Sequence, residues 1–384
     1  MTDKQKIIRT ATVPLSLDLF CRGLFRELAA SYDVVALSSP QPELEQIRRR
    51  EGVRTIGVPM QRKIAPLRDL FSLCRMTVVF RREKPQLVHS ITPKAGLLSM
   101  MAAWAARVPV RVHTFTGLIF PYEKGWKRHL LRLTDRITAA CATAVIPEGE
   151  GVKEDLIRFG VTSKPLQVLG NGNLRGIDLH HYRRTEALCR RGAAIREAFG
   201  IPATDFVFVF VGRLDRDKGL DDLVPAFLRL SQERGDVRLL LVGAGEPDGR
   251  PVLERTWHEI DQSDRIHCSD GWQTDVRPYY AAADALVHPS LREGFPNVVI
   301  EAGAMQLPSI VTDINGSREI VSEGINGTVV PPRDPEALYR QMKSFAEQPE
   351  QVRRMGLAAR ELAGRYEQSY VRHCLKEFYR EVLS

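Results

Sequence analysis

FVFVFVGRLDRDKGLDDLV (206–224) sets an apolar run of aromatic and β-branched residues directly against a glycine, a short charged loop and the start of a helical pattern. It reads as a strand delivered into a helix through a tight turn at Gly212, which has no Cβ to obstruct the bend. The same design recurs on both sides. In the first half, strands are expected at 6–12, 33–37, 53–58, 86–90, 110–115 and 143–147, and in the second half at 206–212, 237–243, 265–269, 283–289, 308–312 and 327–330. Segments of helical period lie between them, such as 67–83 and 94–108. Strands alternating with helices predict βαβ units and parallel sheets. The strands are nearly continuous apolar runs, as expected where helices cover both sheet faces.

A chain of 384 residues is too long for one hydrophobic core, and the repeated alternation predicts two Rossmann-like domains, 1–180 and 181–365. The break falls in VLGNGNLRGIDLHHYRRT (168–185), where Gly and Asn cluster. The last segment, RYEQSYVRHCLKEFYREVLS (365–384), is one aromatic-rich helical pattern. No apolar run of about 18 residues is present, and the N-terminal stretch lacks a sustained apolar core with a small-residue cleavage site. The six cysteines form no Cys-x-x-Cys pair, and the nine histidines include no His-x-x-x-His spacing. The expectation is a cytosolic protein with reduced thiols and no metal.

Net charge is +8, unevenly spread: residues 1–180 hold 28 Lys and Arg against 16 Asp and Glu, whereas the remainder holds 27 against 31. A basic first half suits an anionic partner, either nucleic acid or an anionic membrane surface, although excess Arg also serves solubility. No nucleic-acid-binding motif accompanies the charge, so nucleic acid is not expected.

Gly212 ends a strand at the edge where such sheets bind ligands, and Arg213 and Lys218 follow on one short loop. A guanidinium and an ammonium there suit a diphosphate. No Gly-x-x-x-x-Gly-Lys-Ser/Thr is present, and VGAGEPDG (242–249) lacks the third glycine of a dinucleotide fingerprint. A second loop, HPSLREGFPN (288–297), also follows a strand. Pro296 or Asn297 can open the next helix, whose free N–H groups favour anionic or polar oxygen partners. Glu301, one turn inside, is placed to accept from a vicinal diol such as ribose. Glu293, before the turn, can contact a hexose lined by the Gly294-Phe295-Pro296 backbone. Read as plain surface, Glu293 is a solvated charge and Glu301 a partner of the helix dipole.

Glu293-x7-Glu301 within EGFPNVVIEAGAMQLPSIVTDINGSREIV resembles the signature of retaining family 4 glycosyltransferases with the GT-B fold. The likeness extends through GRLDRDKG, YYAAADALVHPS and INGTVVPPRDPEAL, covering most of 205–340, and NGNLRGIDLHHY resembles the family's entry to its second domain. The resemblance implies that Arg213 and Lys218 hold the donor pyrophosphate, that Glu301 takes the ribose, and that Glu293 lies at the transferred sugar. It also implies that the last helix, 366–384, crosses back onto the first domain. The first half departs from the pattern: ATVPLSLD has no Gly-Gly loop, and HTFTG places Thr116 where many members carry a histidine. His113 is the candidate substitute, although a histidine inside a strand is more often a core residue.

HSITPKAGLLSMMAA and VRVHTFTGL resemble members that act on polyprenyl-diphosphate-linked saccharides for capsule or lipopolysaccharide. Two stretches, 61–82 and 124–136, mix basic residues with Leu, Phe and Trp at helical spacing, as interfacial helices do, or as amphipathic helices covering a sheet do. The expected activity is hexosyl transfer from a nucleotide sugar, with UDP the expected nucleotide. The expected acceptor is a lipid-linked saccharide on the inner face of the membrane, and neither cofactor nor metal is expected. A nucleotide-sugar epimerase of the same architecture and a noncatalytic nucleotide-sugar-binding scaffold remain open from sequence.

Overall fold

The structure, a computed structural model, describes residues 4–245 and 249–384, so part of VGAGEPDG lies outside the described residues. The chain divides into two units, Met1–Gly176 with Ser369–Ser384, and Ile177–Gln368. The division falls four residues before the expected one. Asn173 turns the chain there, its Oδ1 accepting from the N–H groups of Arg175 (3.1 Å) and Gly176 (2.8 Å). Ile177 already belongs with the second unit, donating to Tyr366 O (2.8 Å) and accepting from Gln368 N (2.9 Å).

In the first unit, β1 (Lys6–Thr10), β2 (Asp33–Ser38), β3 (Arg54–Gly57), β4 (Leu87–Ser90), β5 (Val110–Phe115) and β6 (Ala144–Pro147) form one parallel sheet. Their order is β3-β2-β1-β4-β5-β6. In the second unit, β7 (Phe206–Val211), β8 (Val237–Val242), β9 (Ile266–Cys268), β10 (Ala285–His288), β11 (Ser309–Thr312) and β12 (Gly327–Val330) repeat it as β12-β11-β10-β7-β8-β9. All twelve expected strands are present; β2 runs one residue longer than expected, and no other is trimmed by more than three.

FVFVFV shows why the runs are apolar without a break. Phe206, Phe208 and Phe210 enter the core on one face of the sheet, and Val207, Val209 and Val211 the core on the other. A strand covered on both sides has no face left for polar residues. The two middle strands of each order, β1 with β4 and β7 with β10, mark the point where the direction of winding reverses.

The helix Gln368–Leu383 packs into the first unit. Tyr379 is fully buried there, accepting from Arg9 Nη1 (2.9 Å) and bonded to His89 Nδ1 (2.6 Å), while Arg372 and Lys376 pair with Glu27. Among the described residues no helix is long and apolar enough to cross a membrane.

Candidate active site

β7 and β10 lie side by side, and the chain leaves them toward opposite edges of the sheet. Such a reversal opens a crevice beyond the strand ends, where parallel sheets hold ligands. The loops that leave β7 and β10 are bound together there.

In the first loop, Asp215 shapes the chain. Its Oδ1 accepts from the Lys218 N–H (3.2 Å), capping a single turn over Arg216–Lys218, and its Oδ2 pairs with Arg213 (3.0 Å). Burial pushes the Asp215 pKa up against the pull of Arg213 and Lys218. Gly219 ends the turn with φ +77°, and a Cβ at this position would lie 2.0 Å from Pro289 O. Only glycine allows the two loops to touch so closely. Asp217 then receives Arg292 through two bonds, Nε at 3.0 Å and Nη2 at 2.7 Å, and its backbone oxygen accepts from Leu291 N (2.8 Å). Burial acts to raise the Asp217 pKa, but Arg292 and Arg250 hold it below the ordinary carboxylate range.

Across this latch, Lys218 Nζ pairs with Glu293 Oε1, which also receives His288 Nε2 at 2.9 Å. Burial acts to raise the Glu293 pKa, yet the Lys218 charge and the His288 hydrogen bond outweigh it and hold the carboxylate well below its usual range. His288 stands at the end of β10, stacked on Phe210, and its buried Nδ1 has no partner among the described residues. Because a carboxylate only accepts, the Nε2 atom carries the proton.

The helix Asn297–Ala304 begins directly after Pro296. Glu301 lies one turn inside, 5 % exposed, and accepts from the Tyr280 hydroxyl at 3.3 Å. Phe295 packs edge-on against Tyr366 (5.4 Å), so Gly294, Phe295 and Pro296 offer backbone rather than an aromatic face. Gly316 (φ +74°) supports them from behind, since a Cβ there would lie 2.5 Å from Gly294 O.

Residues 19–172 match "Glycosyl transferase 4-like domain" and residues 205–348 match "Glycosyl transferases group 1". A capsular polysaccharide biosynthesis glycosyltransferase, CapM of Staphylococcus aureus, is 32 % identical over 89 % of this chain and 87 % of its own length. The chain belongs to the group 1 glycosyltransferases. A second relative of this glycosyltransferase, the Escherichia coli UDP-Gal:α-D-GlcNAc-diphosphoundecaprenol α-1,3-galactosyltransferase, is 28 % identical over 73 % of this chain and 71 % of its own. The Anabaena protein HepE, solved in complex with UDP, shares the fold with a TM-score of 0.80 at 18 % identity, covering 98 % of this chain and all of that one. The architecture is GT-B.

The structure brings Lys218 and Glu293 of the glycosyltransferase into contact and sets Arg213 on the same loop, against Asp215. Glu301 takes Tyr280 as its partner. His113 lies in the first unit, 2 % exposed, bonded through Nδ1 to Ser90 Oγ (2.8 Å), in space that Gly96 leaves open. Burial lowers its pKa to about 3, which makes the ring a weak base at neutral pH. Thr116 lines a cavity in the same unit. His288 and the Asp217–Arg292 latch are not among the residues expected from sequence. The signal for His288 was its place, five residues before Glu293 at the C-terminal end of a strand.

Proposed function

We propose that this glycosyltransferase moves a hexosyl group from a UDP-sugar to a polyprenyl-diphosphate-linked saccharide in surface polysaccharide synthesis, with retention of configuration. The observation that carries the reading is Glu293, held between Lys218 and His288 at the strand ends where the winding reverses. Departure of UDP leaves a diphosphate while the anomeric carbon gains oxocarbenium character. Arg213, Lys218 and the N–H groups that open the helix Asn297–Ala304 supply positive potential to that leaving group. Glu293 takes a hydroxyl of the transferred hexose, and Glu301 takes the ribose diol.

With no carboxylate assigned as nucleophile, the acceptor hydroxyl attacks from the face that the diphosphate leaves, passing its proton to a departing phosphate oxygen. His113, a weak base bonded to Ser90, is assigned no proton transfer. The reading draws its donor from HepE, solved with UDP, and its acceptor from the diphosphoundecaprenol-linked substrate in the name of the Escherichia coli relative.

The membrane enters through the first unit. Leu67, Leu70, Phe71 and Val78 are exposed along one side of the helix Pro66–Glu83, whose other residues include Arg68, Arg75, Arg81 and Arg82. An apolar stripe flanked by cations suits the inner, anionic face of a bilayer.

The test is transfer of radiolabelled sugar from a panel of UDP-sugars to lipid-diphosphate-linked mono- and disaccharides. The expected product is a lipid one sugar longer, with the anomeric configuration of the donor. An inverted product removes the retaining mechanism, and an epimer formed from donor alone replaces the transferase reading with an isomerase.

A further inference from the structure

A cavity of about 320 Å³ lies wholly within the first unit, at the C-terminal end of β5. Its walls come from the segment entering the helix Pro66–Glu83, from the helix Pro93–Ala105 and from the helix Gly125–Cys141. Ile64, Leu97, Phe115, Ile119, Leu130 and Leu131 line it with hydrocarbon.

Apart from Arg62, its ionisable groups leave little net charge inside. Lys94 pairs with Asp69, and burial holds His113 neutral. Asp135 lines the cavity without a hydrogen bond or ion pair among the described residues, and burial pushes its pKa up to about 7. A saccharide needs its many hydroxyls matched by polar groups, and despite Thr114, Thr116 and Thr134 the surface these walls expose is mostly hydrocarbon. A hydrocarbon chain needs no partners.

A route from outside is also present. Ile64 both lines the cavity and is half exposed, and the helix that follows continues outward with Leu67, Leu70 and Phe71, the first of them 86 % exposed. Trp126, 72 % exposed, begins the opposite wall. Arg62 stands at the lining, and the exposed Lys63 and Arg68 are its near neighbours in the chain.

We propose that this cavity holds the first hydrocarbon segment of a lipid diphosphate. The chain enters across Ile64, Leu67 and Phe71, and the diphosphate stays outside among Arg62, Lys63 and Arg68. The proposal rests on the lipid-linked acceptor reading and adds where the lipid is gripped. The first residues of the tail, rather than the sugar alone, then contribute to acceptor affinity.

The test titrates the full chain with farnesyl diphosphate and with inorganic diphosphate, in excess UDP so that the edge bearing Arg213 and Lys218 is occupied. Each buried methylene contributes substantially, so the farnesyl compound is expected to bind at least about 10-fold more tightly. Leu131→Trp and Leu97→Trp, which fill the cavity from different elements, are each expected to erase that advantage. Thermal midpoints show which variant has kept its fold. Equal affinity of the parent for the two probes overturns the proposal, as does a folded variant that keeps the farnesyl preference. Failure of the underlying reading looks different: the preference is present and lost in the variants, yet no sugar reaches any lipid-linked acceptor. If transfer occurs without a farnesyl preference, the cavity assignment alone falls.

Discussion

Lys218 and Glu293, 75 residues apart in the chain, form an ion pair that joins the loop leaving β7 to the loop leaving β10. The ammonium that is proposed to meet a diphosphate therefore rests on the carboxylate that is proposed to meet the sugar. In that proposal donor binding gives Lys218 a second anion, while Glu293 keeps the hydrogen bond from His288.

Removing the cation tests the leaving-group role. Lys218→Ala and Arg213→Ala are each expected to lower kcat by about 10²–10³, the usual loss for one donor to a developing anion. Lys218→Ala also strips Glu293 of its nearest positive charge. Steady-state transfer, with circular dichroism to confirm the fold, checks this. Full activity in the double variant removes both residues from the reaction.

In the proposed reading His288 is a positioning residue for Glu293. A hydrogen bond to a charged group is worth about 1.5–3 kcal/mol, so His288→Leu is expected to cost about 10- to 100-fold in kcat/KM. His288→Gln, whose amide nitrogen can take the place of Nε2, is expected to recover most of it. A merely structural role predicts the opposite ranking, because Leu fills the apolar space beside Phe210 better than Gln does.

The fold was legible because its strands are buried on both faces, which leaves apolar runs that no surface loop produces. FVFVFV needs no partner to be recognised. The candidate residues were legible where charge is concentrated in short motifs: Arg213 and Lys218 on one loop, Glu293 on a second, and Glu301 in the helix that follows it. His288 was not, because a histidine at a strand end looks the same whether it packs or holds a carboxylate. The Asp217–Arg292 latch joins two charged loops far apart in sequence, and each charge alone reads as solvated surface. The cavity beside Asp135 was hidden for another reason: periodicity shows which face a helix buries, but not the space left between two helices.

Glu301 governs the nucleotide's sugar in the proposed reading. Binding of UDP and 2′-deoxyUDP is expected to differ by about 10-fold in the parent, since a buried acceptor left without its donor is costly. Glu301→Ala is expected to bring the two nucleotides to similar affinity. Calorimetric titration of both against both proteins decides it, and a variant that discriminates as the parent does places the ribose elsewhere.

Asp135 gives a stability signature independent of activity. Burial raises its folded pKa to about 7, above the ordinary value near 3.8. Between these values the folded chain holds a proton that the unfolded chain has released, so this residue's contribution to stability falls as pH rises from about 4 to about 7, then levels off. The full difference is at most about 4 kcal/mol, and water reaching the partly exposed carboxyl reduces it. Asp135→Asn removes the titration. Denaturant unfolding is expected to show the variant gaining on the parent across that window, and a constant gap at all pH values contradicts the assignment.

The membrane reading concerns the basic first unit, and the side-chain contacts decide where to test it. On the helix Gly125–Cys141, Lys127 is paired with Glu123, and Arg132 donates to Phe159 O, so replacing these two disturbs local structure as well as charge. Arg68 and Arg75 are exposed on the helix that carries Leu67 and Phe71. Each cation near an anionic surface contributes about 1 kcal/mol within a Debye length, so Arg68→Gln with Arg75→Gln is expected to weaken binding to phosphatidylserine-containing vesicles about 30-fold. Leu67→Ser with Phe71→Ser is expected to weaken it as well, by loss of apolar contact. The electrostatic part must shrink as salt rises, whereas the apolar part must persist. Vesicle sedimentation of the parent and both double variants at low and high salt separates the two. If the arginine pair has no effect on anionic vesicles at low salt, this helix does not face the membrane, and its apolar stripe serves another contact.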